Sequence, residues 1–474
     1  MNYLAERFNQ QDFLNMEPGY NYGFWSEPDS GKTTMIVKHL IPLAERENKS
    51  ILFLYPRAAI GEQLEYKFVS HVIDYRTYQS LEDDLNNGLI INHYDYIVCD
   101  EAHYFVEDAD FNENTELSFE FINNERNSVK ILLTGTPEPL QYAEFKKPVI
   151  PMSSVNYSNH NVEVVFLTRS TKMIENQIRK VLKDGQQTLV FSSSATQAYE
   201  ISRNFLEHNP FFISSKGNQS FKDKNDEDIR TKIIKEEKTE RPIGFMTAAM
   251  NTGINFNEDV KNVVILGSPS SVDIRQSVAR VRKGSSGRKV RLYVQVPYGQ
   301  AIRTKVESIK RDLEFIDIGI YEWQKQFGKR KVPSFVWHET DKNNKDLAHI
   351  KINKLKLAKL KSDMADFSTM SCDTVGTYKR MVEKYYPSTA IHWMKSSSEN
   401  VEEFLEENEG KFLVKIEQDA VKAIFKKSGI TSKSGTVGPN IIRDYLYQKN
   451  NYSLELPLKS INGKKQQVWQ FNKI

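Results

Sequence analysis

Two cysteines in 474 residues, Cys99 and Cys372, are too few for a disulfide framework or a zinc site of their own. The chain therefore reads as one from a reducing compartment, without a structural metal. Glycine (22) and proline (16) are sparse, which excludes the collagen-like and wholly disordered classes. No stretch approaches the roughly 20 apolar residues that a spanning helix requires. The segment Met1 to Phe8 lacks a basic run ahead of an apolar one. A cytoplasmic protein with no membrane partner is expected. What is present is a chain 39% hydrophobic and 27% charged, long enough for two to four domains at roughly 100–200 residues each.

The net charge of +3 conceals an asymmetry. From Lys411 onward twelve cations stand against four acids, so this end carries +8 and the rest of the chain −5. A basic module attached to a mildly acidic body points to a polyanionic partner.

Through the first three hundred residues short apolar runs alternate with longer mixed segments, the pattern of β/α units on a largely parallel sheet. Predicted buried strands are Ile51 to Tyr55, Tyr96 to Cys99, Ile131 to Leu133, Val162 to Leu167, Thr188 to Phe191 and Val263 to Leu266. Predicted helices include Thr33 to Arg46, Thr171 to Leu182 and Thr196 to Leu206. A break falls at residues 145–160, where Pro148 and Pro151 interrupt the rhythm. After Pro297 the sequence becomes charged and helix-leaning. There Lys351, Lys354, Lys356, Lys359 and Lys361 interleave with Ile352, Leu355, Leu357 and Leu360. Two readings suit this amphipathic helix, a solvated face packed on leucines or a phosphate-contacting one. At the far end two helical segments, Asp419 to Lys427 and Pro439 to Tyr447, precede strand-like runs around Asn462-Gly463, a hairpin signal. That order suits a winged-helix-like nucleic-acid binder, or a protein-docking module.

The sharpest local signal is Ser26-Glu27-Pro28-Asp29-Ser30-Gly31-Lys32-Thr33-Thr34, between the apolar Phe24-Trp25 and a predicted helix. Strand, loop and helix in that order are the context a phosphate cradle requires. Loop and helix N–H groups face phosphates, the Lys32 ammonium reaches the β and γ groups, and the Thr33 hydroxyl ligates Mg²⁺. Ser26 replaces the motif's first glycine, and Asp29 brings an acid where a small residue is usual. The second signal is Asp100-Glu101, at the carboxyl end of a buried strand in the same domain. Asp100 is placed for the Mg²⁺ shell, and Glu101 to orient or deprotonate an attacking water.

Asp100-Glu101-Ala102-His103 spells the box after which the DEAH-type superfamily 2 helicases are named, and residues 20–300 resemble that superfamily with its motifs in order. The Pro56-Arg57 loop with Gln63 resembles a strand-end motif that touches the nucleic-acid backbone. Arg76 to Leu81 is similar to the next, with Thr77 as phosphate partner. Thr134-Gly135-Thr136-Pro137 resembles the motif that couples hydrolysis to strand movement. In the second half, Thr188 to Ser194, with Ser192, resembles the motif that opens the second motor domain. Met246 to Asn255 resembles the motif that meets nucleic acid and nucleotide through Thr247 and Gly253. Gln276 to Lys283 is similar to the arginine-finger motif, with Gln276 at the nucleotide and Arg280 as first finger. Arg282 and Lys283 are both candidates for the second finger, and Ala279 and Asn255 replace the more usual glycine and aspartate. Gln10 and Gln11 are the nearest counterparts of an adenine-reading glutamine, in poorly matching surroundings. The Pro56-Arg57 loop and the Arg280-Val281-Arg282 run are also similar to the origin-binding helicases of large DNA viruses and mobile elements.

The resemblance implies two tandem RecA-like parallel-sheet domains, 1–155 and 156–300. A helical accessory region, 301–410, and a basic, mostly helical module, 411–474, would follow. It implies an ATP- and Mg²⁺-dependent helicase or translocase, with DNA favoured over RNA, acting in replication, recombination or repair. Replication or recombination proteins could then dock on the C-terminal region. A degenerate motor that binds or scaffolds nucleic acid without productive hydrolysis is the alternative, motivated by the altered phosphate loop. A third reading keeps the ATPase and makes the +8 module its targeting element.

Overall fold

Neighbouring residues along Ile51-Leu52-Phe53-Leu54-Tyr55 enter different cores: Ile51, Phe53 and Tyr55 pack on one side of a sheet, Leu52 and Leu54 on the other. That two-residue period, apolar on both faces, belongs to a strand covered by helices above and below. The strand is one of six in an all-parallel sheet made of β1 (Asn21–Trp25), β2 (Ile51–Tyr55), β3 (Ile73–Thr77), β4 (Tyr96–Cys99), β5 (Val129–Thr134) and β6 (Val149–Ser153). Their spatial order is β3-β2-β4-β5-β1-β6. The structure is a computed structural model. It describes residues 3–28, 30–56, 70–215, 218–247, 255–282, 287–297, 299–328, 332–340, 348–368, 373–394, 401, 404–405, 408–432, 434–449, 452–461 and 464–473.

A second parallel sheet begins with β7 (Val162–Thr168), β8 (Gln187–Ser192), β9 (Phe211–Ile213), β10 (Ile243–Thr247), β11 (Val260–Leu266) and β12 (Val290–Gln295). Here too alternate residues divide between two cores: Leu189 and Phe191 join one, Val190 the other. An antiparallel pair, β13 (Val336–Thr340) and β14 (Ala348–Ile352), comes next in the chain. β15 (Ala390–Trp393) then returns to the second sheet, giving β15-β7-β12-β11-β8-β10-β9. These are two tandem RecA-like parallel-sheet domains, as the resemblance implies. No helix among the described residues is long and apolar enough to cross a membrane.

All six predicted strands are present, each within a residue or three of its expected bounds. Segment 145–160 differs from its reading as a plain break, because β6 lies inside it as an edge strand of the first sheet. Pro151 is accommodated there, since an edge strand has one side without a partner.

The phosphate-loop helix α1 (Lys32–Met35) runs through a π-turn, Ile36–Leu40, into a further helix, Ile41–Glu47. The box helix α2 (Tyr104–Glu107) follows β4, and the finger helix α3 (Ser271–Ala279) follows β11. Beyond β12 come α4 (Gly299–Phe327), interrupted at Gly319, then α5 (Lys354–Ser368) and α6 (Thr374–Tyr385). The C-terminal module has a core of its own, built on Val421 and Phe425 of α7 (Lys415–Lys427) and Ile442 and Leu446 of α8 (Pro439–Lys449). It draws in Val401 and Leu405 from before residue 411. Its strands pair antiparallel, β16 (Tyr452–Glu455) with β19 (Gln470–Lys473), and β17 (Leu458–Ile461) with β18 (Lys464–Gln467). Asn462 and Gly463, between β17 and β18, lie outside the described residues.

Candidate active site

Parallel strands end on one rim, and open sheets place their sites there. Strand register puts Thr77 beside Tyr55 and Trp25 beside Thr134. The phosphate loop, the Asp100-Glu101 turn and the Thr134 to Pro137 turn therefore leave adjacent strands β1, β4 and β5 at one edge. In the second sheet Thr247 lies beside Ser192, and the finger helix starts just beyond β11. The two rims face each other across a cleft lined by Glu27, Lys32, Glu101, Thr136, Arg275 and Gln276.

Gly31 takes a left-handed φ of 83° and opens helix α1, a conformation in which a side chain would be strained. The Ser26 and Ser30 hydroxyls bond each other at 2.7 Å. Lys32 Nζ donates to the Ser26 and Glu27 carbonyl oxygens at 2.9 and 3.0 Å. Burial lowers the Lys32 pKa, opposed by the carboxylates of Glu101 and Asp100. The ammonium is thus folded onto oxygen acceptors of the kind a phosphate presents. A Cβ on Gly135 would lie 3.2 Å from the Ser26 carbonyl oxygen, so glycine lets the neighbouring turn approach the loop closely.

Asp100 is buried, and its backbone is fixed by bonds from Asp100 N to Leu54 O and from the Tyr78 hydroxyl to Asp100 O, at 2.8 and 2.9 Å. Glu101 has φ 48°, a left-handed conformation that costs a non-glycine residue about 1 kcal/mol or more. The two adjacent acids are driven apart in pKa. Burial, and then the Glu101 charge, push Asp100 up to about 7. Burial also favours protonation of Glu101, but the cations of Lys32, Arg280 and Arg282 overrule it and hold its carboxyl below the ordinary range, with His103 Nδ1 3.6 Å from Glu101 Oε2. Glu101 is accordingly an ionised acceptor at neutral pH. A hydroxyl at Thr33 and a carboxyl at Asp100 are hard oxygen donors suited to Mg²⁺. These residues fit a triphosphate carrying that ion.

His103 connects the box to its neighbours. Its Nδ1 lies 2.9 Å from Thr134 Oγ1, and its Nε2 lies 3.5 Å from Gln276 Nε2. Because the Gln276 amide nitrogen can only donate, the arrangement calls for a neutral imidazole with its proton on Nδ1. Burial pushes the His103 pKa down to about 4, consistent with that form. Gln276 Nε2 donates to Thr136 Oγ1 at 3.2 Å, and Gln276 Oε1 accepts from Arg280 Nη2 at 3.0 Å. Arg280 is buried, with Nη2 4.0 Å from Glu101 Oε1. A continuous set of polar contacts therefore runs from the box through both threonines to the finger helix.

Arg275 is a residue that the sequence reading missed. From α3 it donates to Glu138 Oε2 at 2.8 Å and to the Gly135 carbonyl, across the cleft. It also lies against the rings of Tyr157 and Tyr385, 5.1 and 4.7 Å from their centroids. A cation immediately before Gln276 was its one local signal.

Among the other expected site residues, Thr134 and Thr136 are buried in this contact set. The Thr77 hydroxyl accepts from Ser80 N at 3.0 Å and so caps the helix Tyr78–Asn86. Ser192 is buried and donates to Gln197 Oε1 at 3.0 Å. Thr247 is buried, and its hydroxyl has no hydrogen-bond partner among the described residues. Thr34 is exposed and Thr33 half-buried on α1. Arg282 lies close enough for its charge to act on Lys32, Asp100 and Glu101. Asp29, Arg57, Gln63, Gly253 and Lys283 lie outside the described residues. Gln10 bonds the Arg46 guanidinium and Gln11 the Asn15 side chain.

No family model and no curated protein matches the chain. Solved structures do. The DEAD-box helicase Mss116, bound to ssRNA and UDP-BeF, is 13% identical over 81% of this chain and 82% of its own, with a TM-score of 0.49. Dbp5 of S. cerevisiae, bound to RNA and ADP BeF3, is 14% identical over 69% of this chain and 88% of its own, with a TM-score of 0.47. A DEAD box protein from the hyperthermophile Methanococcus jannaschii is 19% identical over 58% of this chain and 82% of its own, with a TM-score of 0.31.

Proposed function

We propose that the chain is an ATP-driven nucleic-acid motor of the superfamily 2 helicase kind, hydrolysing ATP between its two parallel-sheet domains. The observation that carries this reading is the set of contacts from His103 through Thr134, Thr136 and Gln276 to Arg280. It joins an acid at the end of one sheet to a guanidinium at the end of the other, beside a lysine-bearing phosphate loop.

Lys32 and the loop N–H groups hold the β and γ phosphates, with Ser30, Gly31 and Thr34 shaping the loop and helix start. Thr33 and Asp100 would hold Mg²⁺, which supplies positive charge at the β and γ oxygens when bound. The ionised Glu101 accepts a hydrogen bond from water and aligns it for attack. Arg280 stabilises charge developing on the transferred group, and Arg282 adds a second cation. His103, Thr134, Thr136 and Gln276 fix the finger against the box, so cleft closure and hydrolysis are linked. Arg57, Thr77, Ser192 and Thr247, with Gly253 beside the nucleotide, are proposed to follow the nucleic-acid backbone along the rims. The basic C-terminal module adds a second anchoring surface, and replication or recombination factors are its proposed protein partners.

Resemblance of the Pro56-Arg57 loop and the Arg280 to Arg282 run to origin-binding helicases favours DNA as the track. The test measures phosphate release with single-stranded DNA, duplex, forked DNA and RNA. Nucleic acid is expected to stimulate turnover, with DNA ahead of RNA. Lys32→Ala should abolish turnover and nucleotide binding together, whereas Glu101→Gln should abolish turnover while nucleotide still binds. A wild-type protein that binds nucleic acid without any turnover would instead establish the scaffolding alternative.

A further inference from the structure

Helix α5 carries the lysine-rich run whose cations could have faced solvent or phosphate. They face neither. Lys356 Nζ pairs with Glu113 at 3.0 Å, and Lys359 Nζ lies 3.1 Å from Glu107 and 2.7 Å from Asp363. Glu107 is the last residue of the box helix α2. The first half of α5 also packs Leu355 and Ala358 into the first domain's core, beside Tyr104, Phe105 and Val106. Its second half belongs to the other domain. Phe367 is fully buried in the second core, under the Lys305 ammonium 3.7 Å from its ring. Asp366 Oδ2 accepts from the backbone N–H and hydroxyl of Ser271, the first residue of the finger helix, at 3.1 and 2.8 Å.

One helix therefore grips the box helix at one end and the finger helix at the other. From Leu355 to Phe367 it spans roughly 18 Å at about 1.5 Å per residue. A hydrogen-bonded helix does not shorten or stretch appreciably, so it transmits position. We propose that α5 is a strut setting how far Arg280 stands from Glu101, with Lys359 and Asp366 as its positioning residues. This rests on the ATPase reading for its consequence, but not for its geometry. Both ends are anchored by buried apolar side chains, Leu355 and Ala358 in the first core and Phe367 in the second, and Lys354 and Lys356 add pairs with the exposed glutamates Glu144 and Glu113.

The test uses the full chain in a Cys372→Ser background with spin labels at the exposed positions Asn87 and Lys183, one on each domain. Pulsed dipolar spectroscopy without nucleotide reads the interdomain distance, and steady-state phosphate release reads turnover. Asp366→Ala removes the Ser271 contacts without stranding a charge, and Glu107→Gln weakens the Lys359 pair while keeping an acceptor. Both should lengthen and broaden the distance distribution. Both should lower kcat by about tenfold or more with the ATP KM within about twofold, since the finger is displaced and the phosphate loop is not. Lys359→Arg, which keeps the cation, should behave as wild type, as should Lys361→Ala, an exposed cation of the same helix. Unchanged distances in both Asp366→Ala and Glu107→Gln overturn the proposal, as does a lengthened distance with unaltered kcat. If the wild-type protein shows no turnover, the ATPase reading fails while the distances still decide whether the strut exists.

Discussion

Gln276 in the second domain donates to the Thr136 hydroxyl of the first at 3.2 Å, while its own oxygen accepts from Arg280 at 3.0 Å. One amide thus ties the Thr134 to Pro137 turn to Arg280. Removing it takes the Oε1 acceptor from the Arg280 guanidinium, and a guanidinium displaced by about an ångström can lose a hundredfold in rate. Gln276→Ala is expected to lower kcat about 10- to 100-fold with little change in the ATP KM. Gln276→Glu retains the Arg280 acceptor but cannot donate to Thr136, and should fall between. Equal turnover in all three proteins would show that the bridge does not position the finger.

Arg280 itself gives a sharper test. Its Nη2 bonds Gln276 Oε1 and its Nε bonds the Gln276 carbonyl at 3.2 Å, a forked arrangement that an ammonium cannot copy. Arg280→Lys should therefore be nearly as damaging as Arg280→Ala, with each reducing single-turnover hydrolysis by about 10³-fold. Nucleotide affinity should hold, because Lys32 and the loop are untouched. Restoration of most of the rate by lysine would show that charge at this position suffices without geometry.

The segments singled out in the sequence are contiguous, and those after β1, β4, β5 and β11 each follow an apolar strand of four to seven residues. Local order was enough to place them because parallel strands end together. What escaped notice depends on residues far apart in the chain. β15 pairs with β7 across more than two hundred residues and has four residues of its own, too few for a pattern. Lys356 and Lys359 of α5 find Glu113 and Glu107 about 240 or more residues earlier, so two buried cations looked like part of a charged surface. Arg275 was invisible for the same reason, as its partners Gly135 and Glu138 belong to the other domain.

Acid should act on His103. Its folded pKa of about 4 lies below the ordinary value near 6.5, because charging the ring in this buried site is unfavourable. A depressed pKa contributes stability that is present above about 6.5 and lost as pH falls towards 4. The loss is on the order of 3 kcal/mol once both forms are protonated. Denaturant midpoints measured from pH 7 to 4 should fall more steeply for the wild-type protein than for His103→Gln, whose amide can donate and accept without titrating. Parallel curves would mean that the ring is not held neutral.

The last prediction concerns the second domain's frame and separates folding from catalysis. Gly244 lies in β10, where an added Cβ would come within 1.9 Å of the Phe211 ring. Phe211 is fully buried in β9 and packs with the second-domain core, so it has no open space to rotate into. Overpacking of this kind costs about 1–3 kcal/mol. Gly244→Ala should lower the Tm by several degrees. Gly185→Ala, at a turn where an added Cβ meets nothing within 4 Å, carries only the strain of its φ of 69° and should cost less. Neither site touches the phosphate loop or the finger helix, so at a temperature where both variants are folded the ATP KM should match wild type. A Gly244→Ala protein with an unshifted melting curve would mean that β9 can move aside, and that the edge of this sheet is looser than its packing implies.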